Sequence, residues 1–301
     1  MKTPVPVTLF VFNRPDHTRR TIDALKKNRG AENTVLYIFS DGPRGDSDVS
    51  GVSQVREYIH SVEGFADVCI KERFENLGLC SSVVSGVSEV IDEYDAAVVL
   101  EDDIITSPGF LVYMNRSLEK YEFENQVWSV ATHSPDIEIP GDYVWDNYVS
   151  NRFSCWGWGT WLDRWEQVDW GYDRYDDVFA DENAQRQFAR GGEDRKYVLD
   201  LMRSGRVESW AAVFDFFHFL NGGFCMHPVK SLVYNIGLDR SGTNCGAGAD
   251  NRKLFQKKDS FNLMGDIHED ERIIREFMAA KRLSWKSRIK MLLRKTGWNF
   301  L

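Results

Sequence analysis

The chain has few cysteines, no long apolar run and no basic excess, and each absence removes a class of protein. Its five cysteines, Cys69, Cys80, Cys155, Cys225 and Cys245, are scattered with no CxxC pair. An odd, unpatterned set argues against a disulfide framework and structural zinc, and fits reduced thiols in a cytoplasmic protein. No apolar stretch reaches the roughly eighteen residues of a spanning helix. The opening Met1-Lys2-Thr3-Pro4-Val5-Pro6 lacks the apolar core of a secretory signal. A net charge of −9 argues against nucleic-acid binding, which needs a basic footprint. No internal repeat is visible.

What is present fits a globular α/β chain. At 301 residues and 43% apolar content, it can build one large domain with appendages, or two domains. Val7 to Phe12 is a β-rich run broken by Asn13-Arg14-Pro15-Asp16, and a helix carrying Ile22 and Leu25 follows. Thr34 to Phe39 reads as a second strand, with Ser40-Asp41-Gly42-Pro43-Arg44-Gly45 as its loop. Val49, Val52, Val55, Ile59 and Val62 recur at helical spacing. Ala66 to Ile70 is a short strand. Val83, Val84, Val87, Val90 and Ile91 make another helix, with Ser81 or Ser82 as its cap. The order β-α-β-α-β-α-β predicts a mainly parallel, Rossmann-like sheet flanked by helices.

The fourth strand, Ala96 to Leu100, runs into Glu101-Asp102-Asp103. Parallel strands bind ligands at their carboxyl ends. Three adjacent acids repel one another, and a hard divalent cation such as Mg²⁺ or Mn²⁺ would neutralise them while leaving room for phosphates. Ser107-Pro108 then predicts a helix start. Val127 to Thr132 reads as a strand, and the alternating Tyr143 to Val149 as part of a second, smaller mixed sheet. Five of the ten tryptophans fall between Trp156 and Trp170, and the run from Phe153 to Trp161 suggests a wall for a flat or sugar-like ligand, Trp158 included. Further on, 193–204 and 210–220 look helical, 229–236 reads as a strand, and 239–248 as a polar loop.

The end of the chain differs in composition. Residues 281–301 hold Lys281, Arg282, Lys286, Arg288, Lys290, Arg294 and Lys295 and no acid, interleaved with Trp285, Ile289, Leu292, Leu293 and Trp298. A basic amphipathic helix of this kind reads as an interfacial anchor at the inner face of a membrane.

Four stretches in order carry a resemblance: Asn13-Arg14-Pro15, Ser40-Asp41-Gly42-Pro43-Arg44, Asn76-Leu77-Gly78, and Glu101-Asp102-Asp103 with the Ser107-Pro108-Gly109-Phe110 start behind it. Together, over roughly residues 4–245, they resemble the nucleotide-diphospho-sugar glycosyltransferases of GT-A fold. The likeness is to the bacterial family-2 type and the N-acetylglucosaminyltransferase I group. The resemblance implies a GT-A domain over 1–265, with a nucleotide-binding half (1–106) and an acceptor-side half (107–265) carrying the smaller mixed sheet. A C-terminal tail follows over 266–301. It makes the acid triplet a variant of the Asp-x-Asp motif, with Asp103 on the metal and Glu101 and Asp102 facing the ribose and donor sugar. Arg14 and Asp41 match positions that hold a uracil base.

The chain departs from that pattern twice. An acid expected just after a tryptophan is replaced by Trp210-Ala211-Ala212, which leaves Glu208, Asp215 and the Glu193-Asp194 pair as candidates for the general base. If the segment is helical, Glu208 and Asp215 lie two turns apart on similar faces. Thr243-Asn244 stands where relatives often carry a histidine near the metal. The reading these residues support is an inverting, metal-dependent glycosyltransferase of surface polysaccharide synthesis. Its donor would be a UDP-sugar and its acceptor a hydroxyl of a glycan or lipid-linked sugar. The alternatives are a sugar-nucleotide-binding protein without turnover, and a pyrophosphorylase. The latter would want a glycine-rich basic loop where Asn13-Arg14-Pro15 stands.

Overall fold

A computed structural model of the chain describes residues 4–239, 255, 258 and 260–282. Within them the strands are β1 Val7–Val11, β2 Val35–Ser40, β3 Asp67–Glu72, β4 Ala96–Glu101, β5 Ile104–Thr106, β6 Val127–Ala131, β7 Asn147–Ser150, β8 Trp158–Trp161, β9 Phe224–Pro228 and β10 Val233–Asn235. The helices are α1 Pro15–Lys26, α2 Asp46–Ile59, α3 Gly78–Tyr94, α4 Phe110–Tyr121, α5 Leu162–Trp165, α6 Tyr175–Phe179, α7 Glu182–Ala189, α8 Asp194–Arg203, α9 Trp210–Leu220 and α10 Glu271–Ala280.

Eight strands form one sheet in the order β3-β2-β1-β4-β8-β6-β9-β7. All point the same way except β8 and β7, which run against their neighbours. The mainly parallel α/β class read from the alternation is what the chain builds. Strand period 2 divides the core. Val7, Leu9, Val98 and Leu100 join Ile22 and Leu25 of α1 on one face. Phe10, Ala97 and Val99 join Val83, Val87 and Val90 of α3 on the other. Strands buried on both faces need this continuous apolar composition.

Several expectations are corrected. The smaller sheet is an antiparallel two-stranded ribbon of β5 and β10, with Val233 opposite Thr106 and Asn235 opposite Ile104. The Tyr143 to Val149 stretch instead supplies β7, the edge strand of the main sheet. The expected strand 229–236 shrinks to three residues, because Leu232 N–H already reaches the Thr132 carbonyl. Neither Ser81 nor Ser82 caps α3, which begins at Gly78 with Leu77 ahead of it. Ser107 is not the cap of α4 either; Gly109 holds that place.

Two strands lacked a sequence signal. β8 contains two tryptophans and a glycine, and Gly159 is required because a Cβ there would lie 2.9 Å from the Ala97 carbonyl oxygen. β9 ends in Pro228. Both sit between other strands, where burial and pairing outweigh intrinsic preference.

The segment after residue 265 is not set apart from the domain. α10 starts at Asp270, whose side chain accepts from Arg272 N–H, and it buries Ile273 and Phe277 against Tyr148 of β7. Ahead of it, the Tyr121 hydroxyl donates to the Met264 carbonyl, and Met264 N–H donates to Asn147. The expected anchor beyond Arg282 and the glycine-rich loop with Thr243-Asn244 lie outside the described residues. No described helix is long and apolar enough to cross a membrane.

Candidate functional site

β1, β2 and β4 are adjacent and parallel, so their carboxyl ends open on one side of the sheet. A cleft of about 520 Å³ lies there. Its floor comes from 10–14 after β1, from Asp41 and Arg44 after β2, and from Glu101, Asp102 and Asp103 after β4. The first turns of α3 form one wall, and Arg206, Val207 and Glu208 lie on the rim.

The acids and Arg14 meet directly. The Arg14 guanidinium donates from Nε to Asp102 at 3.2 Å and from Nη2 to Asp103 at 3.0 Å, with a further short contact from Nη2 to Asp102. Pro15 at the first turn of α1 ends β1 and turns the chain so that Arg14 faces the acids. The Asp102 carbonyl accepts from the Thr21 hydroxyl at 2.7 Å, which holds the backbone of the triplet against α1.

Three carboxylates face one guanidinium in a place largely shut from water. Burial, then repulsion from Asp103 and Asp102, raises the Glu101 pKa to about 8, although Arg14 opposes it. Burial outweighs the attraction of Arg14 at Asp102 and raises it to about 6. At Arg14 burial disfavours the charge, yet Asp102 and then Asp103 outweigh it and hold the pKa above the usual arginine range. Asp103 Oδ1 is buried without a hydrogen-bond partner. The β10 segment passes so close that a Cβ on Gly237 would lie 2.2 Å from Asp103 Oδ2. Among the described residues no group of three or more His, Cys, Asp and Glu forms a ready-made metal cage.

Asp41 ties the second strand to the third helix. Its Oδ1 accepts from Gly42 N–H and Leu77 N–H, and its Oδ2 from Gly78 N–H, each at 3.0 Å. A carboxylate has about four acceptor positions, so one on Oδ2 remains. Next to it, Asn76 donates to the Gly42 carbonyl at 2.7 Å, and Arg44 lies over the Phe12 ring at 4.9 Å.

Of the four candidate bases, Glu193 is exposed outside the cleft, and the other three part company. Glu208 is exposed on the cleft rim. It lies outside α9, because Ser209 caps that helix by accepting from Ala212 N–H. Glu208 and Asp215 therefore do not share a helix face. Asp215 points inward: it accepts from Arg195 at 2.6 and 2.9 Å and from Phe153 N–H at 2.8 Å. Asp194 is held by Arg152 at 2.7 and 2.8 Å. Neither Asp194 nor Asp215 lines the cleft.

Trp158 does not line it either. Its side chain is 1% exposed and packs among Phe153, Trp165, Trp210 and Phe214. Trp158 and Trp161 are core because β8 is an inner strand, while Trp156 ahead of it stays partly exposed. Leu79 and Cys80, at the start of α3, line the cleft without having been singled out. Only their place behind Gly78 gave a hint.

No protein-family model matches the chain, and no curated protein matches it. Solved structures similar to it include the mannosyltransferase PcManGT from Pyrobaculum calidifontis in complex with GDP-Man and Mn²⁺. That match has 11% identity and TM-score 0.40, covering 73% of this chain and 69% of that one. Another is S. aureus TarS, at 9% identity and TM-score 0.43, covering 77% of this chain and 36% of that one. A third is the galactosyltransferase LgtC with donor and acceptor sugar analogs, at 10% identity and TM-score 0.37, covering 74% and 73%.

Proposed function

We propose that the chain is an inverting glycosyltransferase of GT-A type. It would move a sugar from a nucleotide-diphospho-sugar, a UDP-sugar by preference, to a hydroxyl of a glycan or lipid-linked acceptor. The observation that carries this reading is the convergence of Glu101, Asp102, Asp103 and Arg14 on the floor of one cleft, with Asp41 at its side and Glu208 on its rim.

The residues fit a divalent cation. Asp103 Oδ1 is an orphaned buried acceptor, and the triplet offers oxygen donors in excess of the one guanidinium that faces them. Mn²⁺ and Mg²⁺ sites use one or two carboxylates and complete their shell with phosphate oxygens and water. Asp103, supported by Asp102, would hold the ion, which when bound neutralises charge on the departing diphosphate. Arg14 balances the acids and adds a fixed positive charge beside the phosphates. The open Oδ2 position of Asp41 accepts a ring N–H of the base. Glu101 faces the donor sugar. Glu208 removes the acceptor proton as the hydroxyl attacks the anomeric carbon from the far side. Single displacement inverts that carbon. Asp194 and Asp215 are committed to arginines and take no part.

A lipid-linked acceptor agrees with the basic, tryptophan-containing composition of 283–301, which would hold the enzyme at the inner membrane face.

The test is a thermal-shift screen of nucleotide-diphospho-sugars with and without Mn²⁺, followed by product analysis with the donor that responds. A ligand that binds only the folded state raises stability by mass action. A cation-dependent shift with one donor, lost in Asp103→Asn, is the expected result. No shift with any donor would sink the reading.

A further inference from the structure

A second charged cluster lies at the same end of the sheet. β8 starts at Trp158 opposite Val99 of β4, so the loop 153–157 sits at the carboxyl end of β4 and beside the end of β6. There Arg152, Asp194 and Lys281 come together with His133, Cys155 and Trp156. Arg152 forks onto Asp194, and its Nη1 also reaches the Gly191 carbonyl at 2.9 Å. Gly192, at φ 132°, allows this approach: a Cβ there would lie 2.3 Å from Arg152 Nη1 and 3.5 Å from the Lys281 Cβ.

The charges do not cancel. Arg195 and Asp215 form a neutral buried pair behind the cluster. Arg152 and Asp194 form a second. Lys281 is left over, half-buried: its ammonium lies 5.9 Å from the centre of the Phe277 ring and makes no ion pair among the described residues. Burial and then the Arg152 charge press the Lys281 pKa down to about 8, with Asp194 opposing them. His133 and His227 are held neutral by burial and add no negative charge. A half-buried cation without a counter-ion is costly unless an anion joins it. Beside it, Trp156 meets the edge of His133 at 4.5 Å and remains partly open, a surface on which a sugar ring can rest.

We infer that Lys281 and Arg152 form an oxyanion site beside the cleft, taking a phosphate or carboxylate group. On the glycosyltransferase reading, on which this assignment of the ligand rests, that group belongs to the acceptor. The acceptor would then be an anionic glycan or a phosphate-linked one.

The experiment uses the full chain. Lys281 is acylated with an amine-reactive ester at pH 8, and its labelling is followed by peptide mass spectrometry against exposed Lys71. Inorganic phosphate and glucuronate are the two probes. At saturation each is expected to slow labelling of Lys281 at least about threefold while Lys71 is unchanged. Protection by phosphate alone assigns a phosphate-linked acceptor, and by glucuronate alone a uronate. Asp194→Asn removes the competing carboxylate and should tighten the protecting anion about tenfold, the scale of one charged hydrogen bond. Protection by neither probe overturns the site. So does protection that vanishes in Arg206→Met, since the anion would then sit in the donor cleft. Anion protection in a protein that transfers no sugar from any donor would leave this site standing while the glycosyltransferase reading falls.

Discussion

Replacing Glu101 with glutamine should make the protein more stable at pH 8 and remove a pH dependence that the wild type has. The folded state holds the Glu101 proton up to about pH 8, whereas the unfolded chain releases it near the ordinary 4.5. Between those values the native state binds more protons than the unfolded state. Stability therefore falls as pH rises through the window. The difference between variant and wild type from pH 6.5 to 8 isolates the effect. Up to about pH 7.5, His133, His218 and His227, all held neutral by burial, act in the opposite sense and equally in both proteins, because their unfolded forms take up protons that the folded forms refuse. Above 8, Lys281 acts likewise, since it loses its proton near 8 in the folded state and near 10.5 in the unfolded one. Asp102, raised to about 6, has largely titrated by then. One proton difference is worth 1.36 kcal/mol per pH unit, so wild type should lose about 1.5 kcal/mol relative to Glu101→Gln from pH 6.5 to 8. Glutamine mimics the protonated carboxyl and ionises in neither state, so Glu101→Gln should exceed wild type by about 2.7 kcal/mol at pH 6.5 and by about 4 kcal/mol at pH 8. The assay is urea denaturation at several pH values in the presence of a chelator. Saturating Mn²⁺ should restore wild-type stability at pH 8. A stability gap between the two proteins that does not widen over this window would refute the reasoning.

Three substitutions separate core from site, and a truncation tests the tail. Trp158→Ala should cost about 3–5 kcal/mol of stability, the usual result of emptying an aromatic core position; a stable variant with weakened donor binding would return Trp158 to the ligand wall. Asp215→Asn leaves Arg195 buried without its counter-charge, and about 3–5 kcal/mol should be lost in denaturant titration. Glu208→Gln should lower kcat about 10²–10⁴-fold with an unchanged denaturation midpoint; full turnover would move the base elsewhere. Truncation after Arg282 should shift the protein from the membrane pellet to the supernatant while donor hydrolysis survives, and an unchanged partition would refute the anchor.

The α/β class and the position of the acids were legible because both signals are local. Continuous apolar runs such as Val98-Val99-Leu100 mark strands buried on both faces, and Glu101-Asp102-Asp103 marks where one of them ends. Spacing of valines gave α2 and α3 in the same way. Pairings across the sheet were not legible. β8 enters between β4 and β6 against their direction, and no short-range pattern encodes that choice. Its tryptophans read equally well as a ligand wall or as core, since both environments favour large aromatics.

The sequence by itself determined that three carboxylates stand at a strand end and that Arg14 and Asp41 stand on loops behind earlier strands, because apolar runs and turn residues are written within a few positions of each group. Tertiary structure alone decided which acids are free to act. Along the chain Asp194 and Asp215 stood beside Glu208 as candidates, with Glu208 slightly favoured. They are withdrawn by Arg152 and Arg195, which lie 42 and 20 positions away and reach them only once the chain has folded. A buried carboxylate must find a cation. Whether one arrives is a property of packing, and the acid left facing the cleft without such a claim is Glu208.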